Sequence, residues 1–210
     1  MAIRTLLIGT YTAAPYHPLG AVEGRLQHIL ADTAELTPVE GTGLLRRESL
    51  EPYELCISYT DSWKQAPAAE ETAGLLQFVA GGGGLLVIHN GISLQASPEL
   101  SQLIGAQFTG HPPYTTLPFQ LADVGHPLTQ GLEAFTLDEE PYRFELDPLA
   151  ELTVLLTYSH EGEEWPAAWV RHYGLGRVVY LMPGHHLPSF EHEAYGQWIV
   201  NAAKWAAGKL

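Results

Sequence analysis

The sequence predicts a doubly wound α/β domain, a mainly parallel sheet with helices on both faces. Short apolar runs alternate with segments of helical spacing along the first ninety positions, the order that parallel strands with crossover helices require. The runs are continuous rather than alternating in apolarity, as in Leu85-Leu-Val-Ile88, which marks strands covered on both faces. With 210 residues, 46% of them hydrophobic and 16% charged, the chain is long enough to bury a sizeable core as one domain, residues 1–210.

The elements follow in order. Residues 5–9 form a first strand, and 23–31 a helix with Leu26, Ile29 and Leu30 on one face. A weak strand over 36–39 and a stronger one over 53–59 lead to a helix over 68–79, with Leu75, Leu76 and Val79 inward. The strand over 85–89 comes next. Between about 105 and 150 the rhythm breaks on Pro112, Pro113, Pro118, Pro127, Pro141 and Pro148, and this stretch reads as an insertion or sheet extension over the strand ends, with a β piece at 117–124. Strands return at 152–158, 167–171 and 177–181, and a last helix over 191–207 carries Tyr195, Trp198, Ile199 and Trp205.

Composition excludes several functions. Acidic residues number 24 against 10 basic, a net charge of -14, and such a surface repels phosphate backbones and anionic membranes. Neither nucleic acid nor a membrane is expected as a partner. The single cysteine, Cys56, permits no internal disulfide and suits a reducing compartment. The N-terminal apolar run is too short for a signal peptide, so a cytoplasmic setting is expected. The aromatic final helix permits a homodimer. Ten histidines supply material for metal ligation or acid–base work.

Ligands of open α/β sheets bind outside the carboxyl ends of the strands, which gives several polar residues one address. Tyr11 and His17 follow the first strand, 58–61 end the third, His89 and Asn90 end the fourth, and His185 and His186 follow 177–181. The stretch "GGGGLLVIHNG" places its glycines before the strand, the wrong order for a phosphate loop. No nucleotide or flavin is expected.

The elements "GGGGLLVIHNG", "HPPY", "HPLTQGL", "DEEPYRF", "PAAWVRHYGLGRVVYLMPGHH" and "WIVNAAKWAAG" together resemble the trehalose-utilisation (ThuA-like) family, most clearly over residues 75–208. The resemblance implies the flavodoxin-like architecture of the class I glutamine amidotransferase superfamily. It also implies that the elbow where working amidotransferases carry a cysteine reads Val87-Ile88-His89-Asn90-Gly91 here. His89 stands in place of that thiol, and glutamine hydrolysis by the usual route is not expected. Cys56, inside an apolar strand, reads as a small core residue.

An imidazole at the elbow serves as a metal ligand, a general base or a hydrogen-bond donor to a sugar. The resemblance supplies company for it: His111 of "HPPY", Glu140 and Tyr142 of "EEPY", His185 of "PGHH" with His186 as a neighbour able to substitute, and His17 near the first loop. The expected catalytic residues are His89, Glu140 and His185. Tyr11, His17, Asn90, Tyr142 and His186 are expected to bind substrate, and His89, His111, Glu140 and His185 to hold a divalent metal, zinc foremost. Other candidates read as structural: His126-Pro127 as a turn with Asp123, Trp169 as core, Gly174 to Gly176 as a hairpin turn.

Two readings follow. In the first the protein acts on trehalose-derived or other glycosides or keto-sugars as a metal-assisted hydrolase, lyase or isomerase. In the second it is a catalytically silent relative that binds a small polyol or a protein partner.

Overall fold

The computed structural model describes residues 1–12 and 14–210. Strand β1 (Ile3–Gly9) and helix α1 (Leu19–Leu30) are followed by β2 (Ala34–Glu40), the short α2 (Arg47–Leu50), β3 (Leu55–Tyr59), α3 (Ala69–Ala80) and β4 (Gly84–Ile88). A 3-10 helix (His89–Ala96) and α4 (Pro98–Ile104) come next. Then follow β5 (Ala106–Gly110), β6 (Thr115–Leu121), β7 (Phe135–Glu139), β8 (Arg143–Leu146), β9 (Thr153–His160), β10 (Glu163–Tyr173) and β11 (Gly176–Leu181). Helices α5 (Leu187–Glu191) and α6 (Glu193–Ala206) close the described chain.

Nine strands form one sheet in the order β2-β1-β3-β4-β11-β10-β9-β6-β7. The half from β2 to β11 is parallel, and the half from β11 to β7 is antiparallel. The expected doubly wound architecture is present as a mixed sheet whose parallel half holds the crevice. Helix α1 packs on α5 and α6, while α3 packs on α2 and α4. Every residue of β3 and β4 is buried, as their continuous apolar runs require. β6 and β7 from the proline-rich stretch continue the sheet, and β5 pairs with β8 as a separate two-stranded ribbon.

The four glycines before β4 turn the chain out of α3 and start the strand. Three helices differ from the sequence expectation, one of them, α4, not assigned from the sequence. Helix α1 begins at Leu19 instead of 23, because Pro18 already holds an extended N-cap and Leu19 and Val22 are buried; Gly20 and Gly24 hid this turn by lowering helix propensity. The last helix is two, since His192 is extended between α5 and α6. Helix α4 starts with Pro98 and ends at Gly105 in the left-handed region, the arrangement that places proline at a helix start and glycine past its end.

The bland readings hold at several positions. Trp169 is fully buried and its indole N–H donates to the Ile104 carbonyl at 3.0 Å. Cys56 is fully buried, and burial pushes its thiol up to about 12. His126 Nδ1 accepts from Leu128 N at 3.2 Å, and Asp123 accepts from Gly125 N at 2.8 Å, both within turns.

Candidate metal site

The site begins with a backbone constraint. Strand β4 ends at Ile88, and the next residue, His89, has a φ of 46°, a conformation that costs a non-glycine residue about 1–3 kcal/mol. This sharp turn takes the imidazole out of the sheet line at the strand's carboxyl end. Gly91 completes it: a Cβ there would fall 2.1 Å from the carbonyl oxygen of Ser58, so only glycine lets the elbow lie against β3. His89 Nδ1 donates to the Met182 carbonyl, just past β11, at 2.7 Å. A carbonyl only accepts, so this bond puts the ring proton on Nδ1 and leaves Nε2 as a lone pair.

His89 Nε2 is buried and has no hydrogen-bond partner. It lies 3.4 Å from Glu140 Oε2. The same carboxylate oxygen is 3.1 Å from His185 Nδ1 and 3.9 Å from His17 Nε2, and the last two ring nitrogens are 3.0 Å apart. One ligating atom from each of His17, His89, Glu140 and His185 lies within 4.8 Å of all the others. These residues come from segments after β1, β4, β7 and β11, far apart in sequence; the parallel half of the sheet brings the three histidines to one rim, and Glu140 reaches them from the end of β7 in the antiparallel half.

Burial sets the charges. Burial drives the His89 imidazole down to about 4, against the pull of the nearby Glu140 carboxylate and the bond to Met182. Burial also opposes charge on His185, but the hydrogen bond and charge of Glu140 outweigh it and raise its pKa. Burial works against ionising Glu140 too, yet the hydrogen bond from His185 and the neighbouring His89 ring hold it well below the usual carboxylate range. The cluster is therefore an anionic oxygen amid imidazoles, one of them neutral.

The remaining expected residues divide. Tyr142 lies over His89 with ring centroids 4.2 Å apart, and it also stacks on His111 at 5.5 Å. His111 stands at the margin: its Nε2 is 3.7 Å from Glu140 Oε1, its Nδ1 donates to the Pro112 carbonyl at 2.9 Å, and it is outside the four-residue set. His186 turns away from the set, bonded to Ser189 Oγ at 3.2 Å and Tyr114 OH at 2.9 Å, so His185 is the member of the pair in the cluster. Asn90 Nδ2 donates to the carbonyls of Tyr59 and Thr60, tying the elbow to β3. Tyr11 donates to Glu23 at 2.5 Å, which occupies its hydroxyl on α1.

Two residues were not given roles by sequence reasoning. Glu139 is fully buried; it accepts the Gly184 amide at 2.7 Å and the His185 amide at 3.3 Å, and Ser189 Oγ donates to it. Burial, tempered by those bonds, pushes it up to about 7. A signal for it exists in the alternation of β7, where Phe135 and Glu139 are the buried positions. Asp61, after β3, places Oδ2 3.9 Å from His17 Nδ1, a nitrogen that is itself buried without a partner.

The fold is class I glutamine amidotransferase-like, and its elbow carries an imidazole, His89. The trehalose-utilisation (ThuA) family model matches residues 17–206, and the chain belongs to that family. A ThuA-like protein from Parabacteroides merdae ATCC 43184 superposes with a TM-score of 0.83 at 19% identity, over 100% of this chain and 92% of that one. A second, from Bacteroides uniformis ATCC 8492, gives 0.80 at 20% identity over 97% and 91%. A structure titled as a cytoplasmic protein from Salmonella typhimurium LT2 gives 0.74 at 15% identity over 97% and 99%. No curated protein matches the chain. Among the described residues no helix is long and apolar enough to cross a membrane.

Proposed function

We propose that His17, His89, Glu140 and His185 hold a divalent transition metal, zinc foremost, and that the protein uses it on a sugar or polyol as a hydrolase, lyase or isomerase. The observation that carries the reading is the convergence of three imidazole nitrogens and one carboxylate oxygen within 4.8 Å, one of them the orphaned, buried Nε2 of His89. Ligand atoms about 2.1 Å from a zinc ion stand roughly 3.4 Å apart, close to the 3.0, 3.1 and 3.4 Å separations in the cluster. The donor set of nitrogen and oxygen suits zinc and its neighbours better than magnesium or calcium.

When bound, such a metal supplies a Lewis acid that polarises a substrate oxygen. The chain's own residues do the rest. The Met182 carbonyl orients His89, as an outer partner fixes a ligating ring. Tyr142, 2% exposed, covers the His89 ring and keeps water from that side. His111, with its proton on Nδ1, presents an Nε2 lone pair beside Glu140 and is placed to accept or return a substrate proton. The sugar class is supported by the description of the matching family, trehalose utilisation, and a cytoplasmic setting by the label of the Salmonella neighbour.

The test is zinc titration by calorimetry on untagged, chelator-treated protein, repeated on His89→Ala. One equivalent bound by the wild type and lost in the variant is expected. Absence of binding by the wild type would sink the metal reading.

A further inference from the structure

Beside the cluster lies a cavity of about 600 Å³, lined among others by Thr10, Tyr16, Thr42, Asp61, Trp63 and Lys64. It opens over the carboxyl ends of β1 and β3. This is the switch point of the sheet, since β1 pairs with β2 on one side and β3 on the other, and crevices of this kind take ligands in doubly wound folds. We propose that this crevice is a second subsite holding a neutral polyhydroxylated ring, so that the substrate spans two rings, one at the His/Glu cluster and one against Trp63. The proposal rests on the sugar reading above and deepens it.

Three features argue for this ligand. The first is an unused acceptor. The Asp61 side chain is 9% exposed, and its carboxylate accepts no hydrogen bond from the described residues. It faces His17 Nδ1 at 3.9 Å on one side and lines the crevice on the other. A carboxylate so placed accepts two vicinal hydroxyls at the junction of the two sites.

The second is an aromatic wall shared by both sites. Trp63 packs on Phe108 at 5.1 Å, Phe108 on Tyr142 at 4.3 Å, and Tyr142 on His89 at 4.2 Å. The partly buried indole of Trp63 thus continues the surface that covers the cluster, and it offers the apolar face that sugar C–H groups pack on.

The third is charge. Among the described residues that line the crevice, Lys64 is the one cation, against Asp61 and Glu71. The Glu71 carboxylate is already engaged by Thr42 Oγ1 at 2.7 Å and Ala68 N at 3.0 Å. An anionic ligand would meet a net acidic wall with no glycine-rich amide cradle. An apolar ligand would cover the Asp61 carboxylate without giving it a hydrogen-bond donor. A ring bearing hydroxyl groups satisfies both constraints, and a crevice of this size accommodates one.

The experiment is calorimetric titration of the full chain, metal-free and zinc-loaded, with glucose and with maltose, trehalose, sucrose and lactose. Wild type, Trp63→Ala and Asp61→Asn are compared, with zinc stoichiometry as the folding control. At least one disaccharide is expected to bind about tenfold or more tightly than glucose, with both variants losing most of that preference. Equal binding of glucose and all four disaccharides would overturn the proposal, and so would a preference that survives Trp63→Ala. Zinc binding without any disaccharide preference rejects the crevice and leaves the metal reading standing. A disaccharide preference in protein that takes up no zinc rejects the metal and leaves the crevice standing.

Discussion

Glu139 and Glu140, adjacent in sequence, hold the same histidine at two different places. Glu139 accepts the backbone amide of His185 at 3.3 Å, whereas Glu140 Oε2 lies 3.1 Å from the His185 ring at Nδ1. One carboxylate fixes the loop and the other meets the side chain that the loop presents.

The two glutamates are therefore expected to fail differently. Glu139→Ala leaves the amides of Gly184 and His185 and the Ser189 hydroxyl without their buried acceptor, at a cost of about 3 kcal/mol. Glu140→Ala removes a side chain at the edge of solvent and lowers zinc affinity by about a hundredfold with little change in melting temperature. Paired thermal and zinc titrations check this. Equal destabilisation by the two variants would contradict it.

Gly91→Ala drives a methyl group into the Ser58 carbonyl, and the elbow must move to admit it. The expected cost is about 3 kcal/mol, a fall in melting temperature on the order of 10 °C. A variant that melts with the wild type would show that the elbow is pliable and that the strained φ of His89 is not enforced by contact with β3.

Alkali should unfold the protein cooperatively. Tyr59, Tyr180 and Tyr195 are fully buried and donate to the carbonyls of Gly184, His89 and Pro183. Burial raises all three phenols above the ordinary 10.0. The folded state keeps these protons while the unfolded chain releases them near pH 10, so the unfolded state binds fewer and stability falls as pH rises above that value. Tyrosinate absorbance followed together with circular dichroism should show part of the signal appearing only as the fold is lost. Ionisation of all ten tyrosines before any loss of ellipticity would contradict this.

Cys56 should be silent to thiol reagents in the native protein, because it is fully buried on β3 and its thiol is pushed up to about 12. Reaction with an aromatic disulfide reagent is expected only at the rate of unfolding. Prompt stoichiometric reaction at neutral pH would place the thiol in reach of solvent.

Much of the fold was legible because burial leaves a periodic trace. The continuous runs in β3 and β4 and the spacing in α3 announced their elements within a residue or two. The 105–150 stretch did not, since its short strands are broken by prolines and pair with partners distant in sequence, as Phe119 with Tyr158. In the site, His89, Glu140, His185 and His17 were named from strand ends and motifs. Glu139 was passed over because β7, whose alternation marks it as inward-facing, was not assigned as a strand, and His186 could not be told from His185 because adjacent residues share every local signal.

The sequence by itself determined that an α/β sheet would form, that a histidine would end its fourth strand, and that the surface would be acidic. Those are properties of residue type and period. Only the tertiary structure decided which of the ten histidines meet, and that one carboxylate oxygen lies within 3.9 Å of a nitrogen in each of three of them. Convergence depends on strand order and on side-chain direction at loop ends. Both are set by long-range packing, which leaves no periodic mark on the chain.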